Sequence, residues 1–193
     1  MGKEKLIRFL QSADLITALQ AEEIADFFTF KTVSKNDFLL QAGEISDDYF
    51  FLDQGFMRAF AYDIKGTDIT TGFYPDGQVV FEVASFFTRV PSREYLQALT
   101  DCEGWHLSYA QMNALFHSRQ EFREFGRSVL VRGFAALKGR MLAMITEPAA
   151  SRYASLLRTN PQLLQHVPLK YIATYLGITD TSLSRIRKGP AKK

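Results

Sequence analysis

The chain has 193 residues, 47% of them hydrophobic, and a formal net charge of +2; such a chain makes one large or two small domains with material for packed cores, which excludes a disordered protein. Cys102 is its single cysteine, so an intrachain disulfide and a cysteine-held zinc or iron–sulfur centre are excluded, and a reducing compartment fits. No apolar run approaches the roughly 20 residues that span a bilayer, and the charged start MGKEKLIRFLQSADLI lacks the apolar stretch of a secretory signal. The expectation is a cytoplasmic chain without a membrane partner.

Residues 3–29 read as helix, with Leu6, Ile7, Phe9 and Leu10 in one apolar patch and Leu19, Ile24, Phe27 and Phe28 in a second. From Phe30 to about Leu107 the pattern changes to short apolar or alternating runs. Turn signals recur about every ten residues, at Lys35-Asn36-Asp37, Ala42-Gly43, Gln54-Gly55, Lys65-Gly66 and Asp76-Gly77, the spacing of an antiparallel sandwich or barrel. Phe50, Phe51, Phe60, Phe73 and Tyr74 lie in these runs and read as core aromatics. The segment REYLQALTDCEGWHLSY supplies the last two strands.

Helix returns after Ala110. Residues 119–146 contain no proline and carry Leu130, Phe134, Leu137, Met141 and Met144 at spacings of 4, 3, 4 and 3, a heptad stripe that predicts dimerisation. Phe122, Phe125, Val129, Gly133 and Ala136 form a neighbouring face for the β domain to cover. Glu147-Pro148 ends this helix, and another, 149–159, leads through Asn160-Pro161 into VPLKYIATYLGITDTSLSRIRK.

That last segment reads as a helix-turn-helix. Pro168 opens a helix whose apolar face holds Leu169, Ile172, Ala173 and Leu176, and Gly177 suits the turn because glycine enters the left-handed backbone region without steric cost. Thr179 or Asp180 caps the second helix, with the capping role favoured for Asp180, and Leu183 and Ile186 point back to the first. Lys170, Thr179, Thr181, Ser182, Ser184, Arg185, Arg187 and Lys188 are the candidate DNA-contacting residues. Charge agrees with this: residues 147–193 hold eight basic residues against Glu147 and Asp180, a balance of +6, so residues 1–146 carry −4.

A helical start, an eight-stranded roll, a long helix and a C-terminal helix-turn-helix, in that order, resemble the cyclic-AMP receptor protein and fumarate-nitrate regulator (Crp/Fnr) family of bacterial transcription regulators. The motifs that carry the resemblance are Gly43-Glu44 followed by YFFLDQGFMRAF, then Gly77 and Glu82, then LKYIATYLGITDTSLSRIRK. The implied fold is α+β: an antiparallel β-roll of the jelly-roll type with flanking helices (1–118), a dimerisation helix (119–146) and an all-α helix-turn-helix domain (147–193) lacking most of the family's β-hairpin wing. The tail Gly189-Pro190-Ala191-Lys192-Lys193 stands in the place of that wing. The implied partners are double-stranded DNA, a second copy of the chain, RNA polymerase and a small-molecule effector.

The resemblance places an effector pocket at Phe73, Glu82, Val83, Ser85, Ser92 and Arg93. Nucleotide-binding members hold the ligand phosphate with Gly-Glu-x-Ala and a later arginine. Here Phe81 replaces that glycine and Ser92 falls at the arginine position, with Arg93 one place on, and a one-residue offset in a strand turns a side chain to the other face. Cyclic AMP is therefore not expected to bind by the usual contacts, and no cofactor is expected.

Two rival readings remain. A cupin-type metalloenzyme needs two or three histidines and a carboxylate inside the barrel, whereas His106, His117 and His166 are the only histidines and residues 1–105 have none; an enzyme is not expected. The other is a regulatory module that acts on a protein partner without sequence-specific DNA binding.

Overall fold

A computed structural model describes residues 2–188. Helices α1 (Glu4–Leu10) and α2 (Ala18–Ala25) precede strands β1 (Thr29–Val33), β2 (Phe38–Leu40), β3 (Asp48–Gln54), β4 (Phe56–Tyr62), β5 (Asp68–Pro75) and β6 (Gln78–Val80). A short helix α3 (Val83–Thr88) leads to β7 (Tyr95–Ala98) and β8 (Cys102–Ser108). Then come α4 (Tyr109–Ser118), the 27-residue α5 (Gln120–Thr146), α6 (Ala149–Thr159), α7 (Leu163–His166), α8 (Leu169–Tyr175) and α9 (Asp180–Lys188).

The strands form two antiparallel four-stranded sheets, ordered β1-β8-β3-β6 and β2-β7-β4-β5. Strand alternation distributes their side chains among three apolar layers. Phe50 and Leu52 point between the sheets with Met57, Ala59, Val80 and Leu96, whereas Tyr49 and Phe51 point outward, under a layer that includes Leu6, Ile24, Phe86, Phe122 and Phe125. Phe56 and Leu99 point out from the second sheet into a layer completed by Leu156, Leu163, Ile172 and Leu176 of the C-terminal helices. Strands β3 and β4 are thus covered on both faces, which is why each reads as a near-continuous apolar run.

The helical start is interrupted: Asp14 has φ of 54° and Thr17 opens α2 with a capping box to Gln20. Leu19 is exposed because it lies on α2 opposite the buried Ala21, Ile24 and Ala25, and Phe27, past the end of α2, is exposed while Phe28 is buried. The residues after β6 form helix α3, with Glu82 at its N-cap. Of the strand aromatics, Phe50 and Tyr74 face the space between the sheets; Phe51, Phe60 and Phe73 face outward onto other layers.

On α5, Phe122 and Phe125 are buried and Val129 is half-buried, but every residue from 130 to 139 is exposed. Gly133 and Ala136 are therefore not covered by the roll, because α5 projects beyond it after its first three turns.

Gly104 of β8 is required by close approach: a Cβ there would collide with the Phe51 carbonyl and lie 2.8 Å from the Phe50 ring. Gly104→Ala is expected to cost about 3 kcal/mol by overpacking, read as a fall of several degrees in Tm by calorimetry.

Candidate nucleic-acid interface and effector pocket

The segment 82–93 is closed by its own side chains. Glu82 caps α3, its carboxylate accepting from the amides of Ala84 (3.0 Å) and Ser85 (2.6 Å). Those are the donors that an anion at this helix start would need, and a carboxylate at a helix N-terminus also gains from the backbone dipoles. The Ser85 hydroxyl donates to the Val90 carbonyl at 2.6 Å and accepts from the Ser46 amide at 2.8 Å. Ser92 is buried and bonds within its own turn, its hydroxyl donating to Glu94 O (2.9 Å) and accepting from Glu94 N (3.0 Å). Arg93 and Val83 are exposed.

The arginine that organises this segment is Arg89. It adopts the left-handed conformation at the end of α3, stacks over the Tyr109 ring at 4.1 Å, and donates to Ser46 O (2.8 Å) and Asp47 Oδ1 (2.7 Å). Phe81 packs with its ring 5.1 Å from Tyr49 and 5.3 Å from Phe86. A cavity of about 390 Å³ beside the segment has Leu39, Leu40 and Leu96 as walls and Glu44, Asp47 and Asp48 at its polar side. Two of these carboxylates are paired, Asp47 with Arg89 and Asp48 with Lys31.

Phe73 does not belong to this region. It packs on Phe56 and on Tyr175 of α8, because β5 bulges opposite Ala59 and Phe60 and Phe73 points away from the roll interior. Tyr74 points inward instead, and burial pushes its phenol far above the usual range, so it stays neutral. Burial likewise raises the Cys102 thiol, which suppresses a reactive thiolate. The three histidines lie apart: His106 Nδ1 is 2.8 Å from Asp48, His117 bonds to Asn113 O within α4, and His166 stacks on Phe56.

Helices α8 and α9 are joined by a tight turn. The amide of Gly177, at φ of 67°, donates to Thr174 O and that of Ile178 to Ala173 O, the paired bonds of a Schellman motif. The cap of α9 is Thr179 rather than Asp180: Thr179 Oγ1 accepts from the Ser182 amide at 3.2 Å, and Asp180 is the first helical residue. Leu183 is buried and Ile186 half-buried against the preceding helices. Thr181, Ser184, Arg185, Arg187 and Lys188 are exposed together with Lys170 and Thr179, while Ser182 is half-buried and bonds to Thr179. The tail residues Lys192 and Lys193 lie outside the described residues.

Beside this unit, α5 presents its apolar stripe to solvent. Phe134 is 69% exposed and Leu137 61%, flanked by Leu130, Met141 and Met144, with Val131, Leu142 and Ile145 adding to the strip.

Sequence reasoning missed the residues that join the C-terminal helices to the rest. Arg58 of β4, only 2% exposed, stacks on Tyr171 of α8, and Arg140 of α5 stacks on Tyr175. The available signal for Arg58 was a charged residue in an otherwise apolar strand, with Asp68 on the neighbouring strand to receive it. Arg152 donates to Glu147 O and Leu176 O and so ties the ends of α5 and α8. A second, open groove of about 660 Å³ runs between Thr67–Ile69 and the α8–α9 turn.

Residues 30–119 match the cyclic nucleotide-binding domain family. No match to a curated protein is found. Solved structures share the fold over most of the chain. The c-di-GMP responsive global regulator CLP from Xanthomonas campestris is 15% identical with a TM-score of 0.68, over 89% of this chain and 90% of its own. FixK2 from Bradyrhizobium japonicum is 16% identical with a TM-score of 0.70, over 83% of each chain. A Eubacterium rectale protein described as a transcriptional regulator of the crp/fnr family is 15% identical with a TM-score of 0.69, over 92% of this chain and 84% of its own. The matched domain begins at β1 and ends within the turn after α4, so α5 to α9 lie beyond it.

Glu82→Ala is expected to lower stability by about 1 kcal/mol through loss of the α3 cap, measured by chemical denaturation. Calorimetric titration of the unmodified chain with cyclic AMP is expected to show no sub-micromolar binding, since the α3 amides are occupied; binding in that range would show that the segment opens.

Proposed function

We propose that this chain is a dimeric, DNA-binding transcription regulator of the Crp/Fnr type, cytoplasmic and without enzymatic activity. Residues 1–118 form its roll, 119–146 its dimerisation helix and 147–193 its helix-turn-helix reader. The observation that carries the reading is the exposed basic and hydroxyl-bearing face of α9, set on a helix pair whose opposite face is buried. The α5 stripe supports two-fold pairing, which would present two such faces to a two-fold operator. RNA polymerase is a further partner on this reading. The effector, where one acts, is not cyclic AMP held by the usual phosphate contacts, because Glu82 and Arg89 satisfy the groups that would hold it.

Leu137→Asp would place a charge on both sides of the two-fold seam, at a cost of several kcal/mol, on the order of 3 to 5. Sedimentation is expected to report a dimer for the natural chain and a monomer for the variant; a monomeric natural chain at micromolar concentration refutes the pairing.

Selection from a random duplex library is expected to return a two-fold site with half-sites about 34 Å apart. On that site Arg185→Ala should cost about 1–3 kcal/mol per half-site and relax specificity at one position, the signature of a bidentate base contact. Removing a phosphate contact such as Lys188 should instead weaken all sequences alike and reduce the salt slope by about one. Absence of any enriched sequence sinks the reading in favour of action on a protein partner.

A further inference from the structure

Tyr171 and Tyr175 stand four residues apart on one face of α8, and each is covered by a guanidinium from another part of the chain. The Arg58 guanidinium lies 3.5 Å from the Tyr171 ring centre and 3.9 Å from that of Phe60, so it is sandwiched between them. Its edges are spent on neighbouring strands of its own sheet: both Nη atoms reach the Asp68 carboxylate at 2.7 Å, and Nε and Nη2 reach Gln97 Oε1 at 3.1 and 2.9 Å. Only its flat face is left for α8. Arg140 approaches from α5, stacks at 3.9 Å on Tyr175, and donates to the carbonyls of Thr71 and Tyr175. Between the two, the Thr70 amide donates to Thr174 Oγ1 at 3.1 Å. Strand β5 is the end strand of its sheet, so α8 seals an edge whose backbone donors need partners.

We propose that Arg58 and Arg140 form a clamp that fixes the angle of the α8–α9 unit relative to α5 and the roll. This rests on the DNA-reading function proposed above. The apolar contacts of Phe56, Phe73 and Leu99 supply area without direction, whereas planar stacks and bonds to named carbonyls set rotation about the α8 axis. In a dimer joined along α5, Arg140 therefore ties each reading helix to the seam itself. A reader held this way engages two half-sites at one spacing with little orientational cost, and a loosened reader pays that cost only when both half-sites must be bound at once.

The test compares the full-length natural chain with Tyr171→Leu/Tyr175→Leu, with Tyr171→Phe/Tyr175→Phe, and with Arg140→Gln. Each is titrated against the selected two-fold duplex, the same duplex with its half-sites moved by about half a turn, roughly 5 base pairs, and a single half-site. The leucine and glutamine variants are expected to bind the two-fold site about tenfold more weakly, to lose most of the penalty for the altered spacing, and to bind the single half-site as the natural chain does. The phenylalanine variant, which keeps both stacks, should behave as the natural chain. Without DNA, amide exchange across residues 169–176 should quicken about tenfold in the leucine variant. Unchanged full-site affinity and spacing penalty overturn the positioning role, and unchanged exchange overturns the clamp whatever the DNA result. If the natural chain selects no duplex at all, the DNA reading fails and the clamp stands or falls on the exchange measurement.

Discussion

A guanidinium withdrawn almost wholly from water must be matched on its edges and its faces, and Arg58 is the residue on which this condition presses hardest. Taking such a charge out of solvent costs several kcal/mol, on the order of the penalty that a close partner just offsets. Asp68 and Thr70 of β5 and Gln97 of β7 answer its edges from the neighbouring strands. Its two faces lie against Phe60 and Tyr171. Tyr171 belongs to α8, so the strand that carries Arg58 is sealed only when the C-terminal helices are in place. The outer side of β4 is thus the joint of the molecule: Phe56 and Leu99 supply its apolar area and Arg58 its direction.

The same logic explains why the segment after β6 is closed by its own side chains. A short helix that starts at a loop needs acceptors for its first amides. A bound anion is one solution and the Glu82 carboxylate is another, and only one of them fits at a time. With Phe81 packed among Tyr49 and Phe86, and Arg89 engaged by Asp47 and Tyr109, the segment is held by protein groups alone. What remains beside it is a cavity walled by Leu39, Leu40 and Leu96, whose Asp47 and Asp48 carboxylates are already paired with Arg89 and Lys31.

Much of this was legible in the chain. Alternation and recurring turn residues place β1 to β8 in the span read as β to within one residue at each end, and the 4-3-4-3 spacing on α5 marks the residues that stay exposed. The glycine turn between α8 and α9 follows from Gly177 itself, since a left-handed residue ends α8. What was not legible depends on contacts across long separations. A bulge in β5 decides that Phe73 faces the C-terminal helices and Tyr74 the roll, and nothing local to Phe73 announces the bulge. Gly133 and Ala136 share a helical face with Phe122 and Phe125, but how far the roll extends along α5 sets where coverage stops. Asp180 and Thr179 are both good caps by type, and the turn geometry selects Thr179.

The long helix α5 links these parts because its residues face three ways within a few turns. Phe122 and Phe125 anchor it to the roll, Arg140 grips the last turn of α8, and Phe134 and Leu137 lie bare between them. Met144 closes the stripe, and its Cε would lie 2.8 Å from a Cβ at position 177, so it already touches the turn that leads into α9. A side chain on the apolar stripe therefore abuts the turn between α8 and α9. Arg140 and Arg152 hold the carbonyls of Tyr175 and Leu176 just before Gly177. The exposed stripe of α5 and the turn that sets the start of α9 therefore share one side chain, that of Met144.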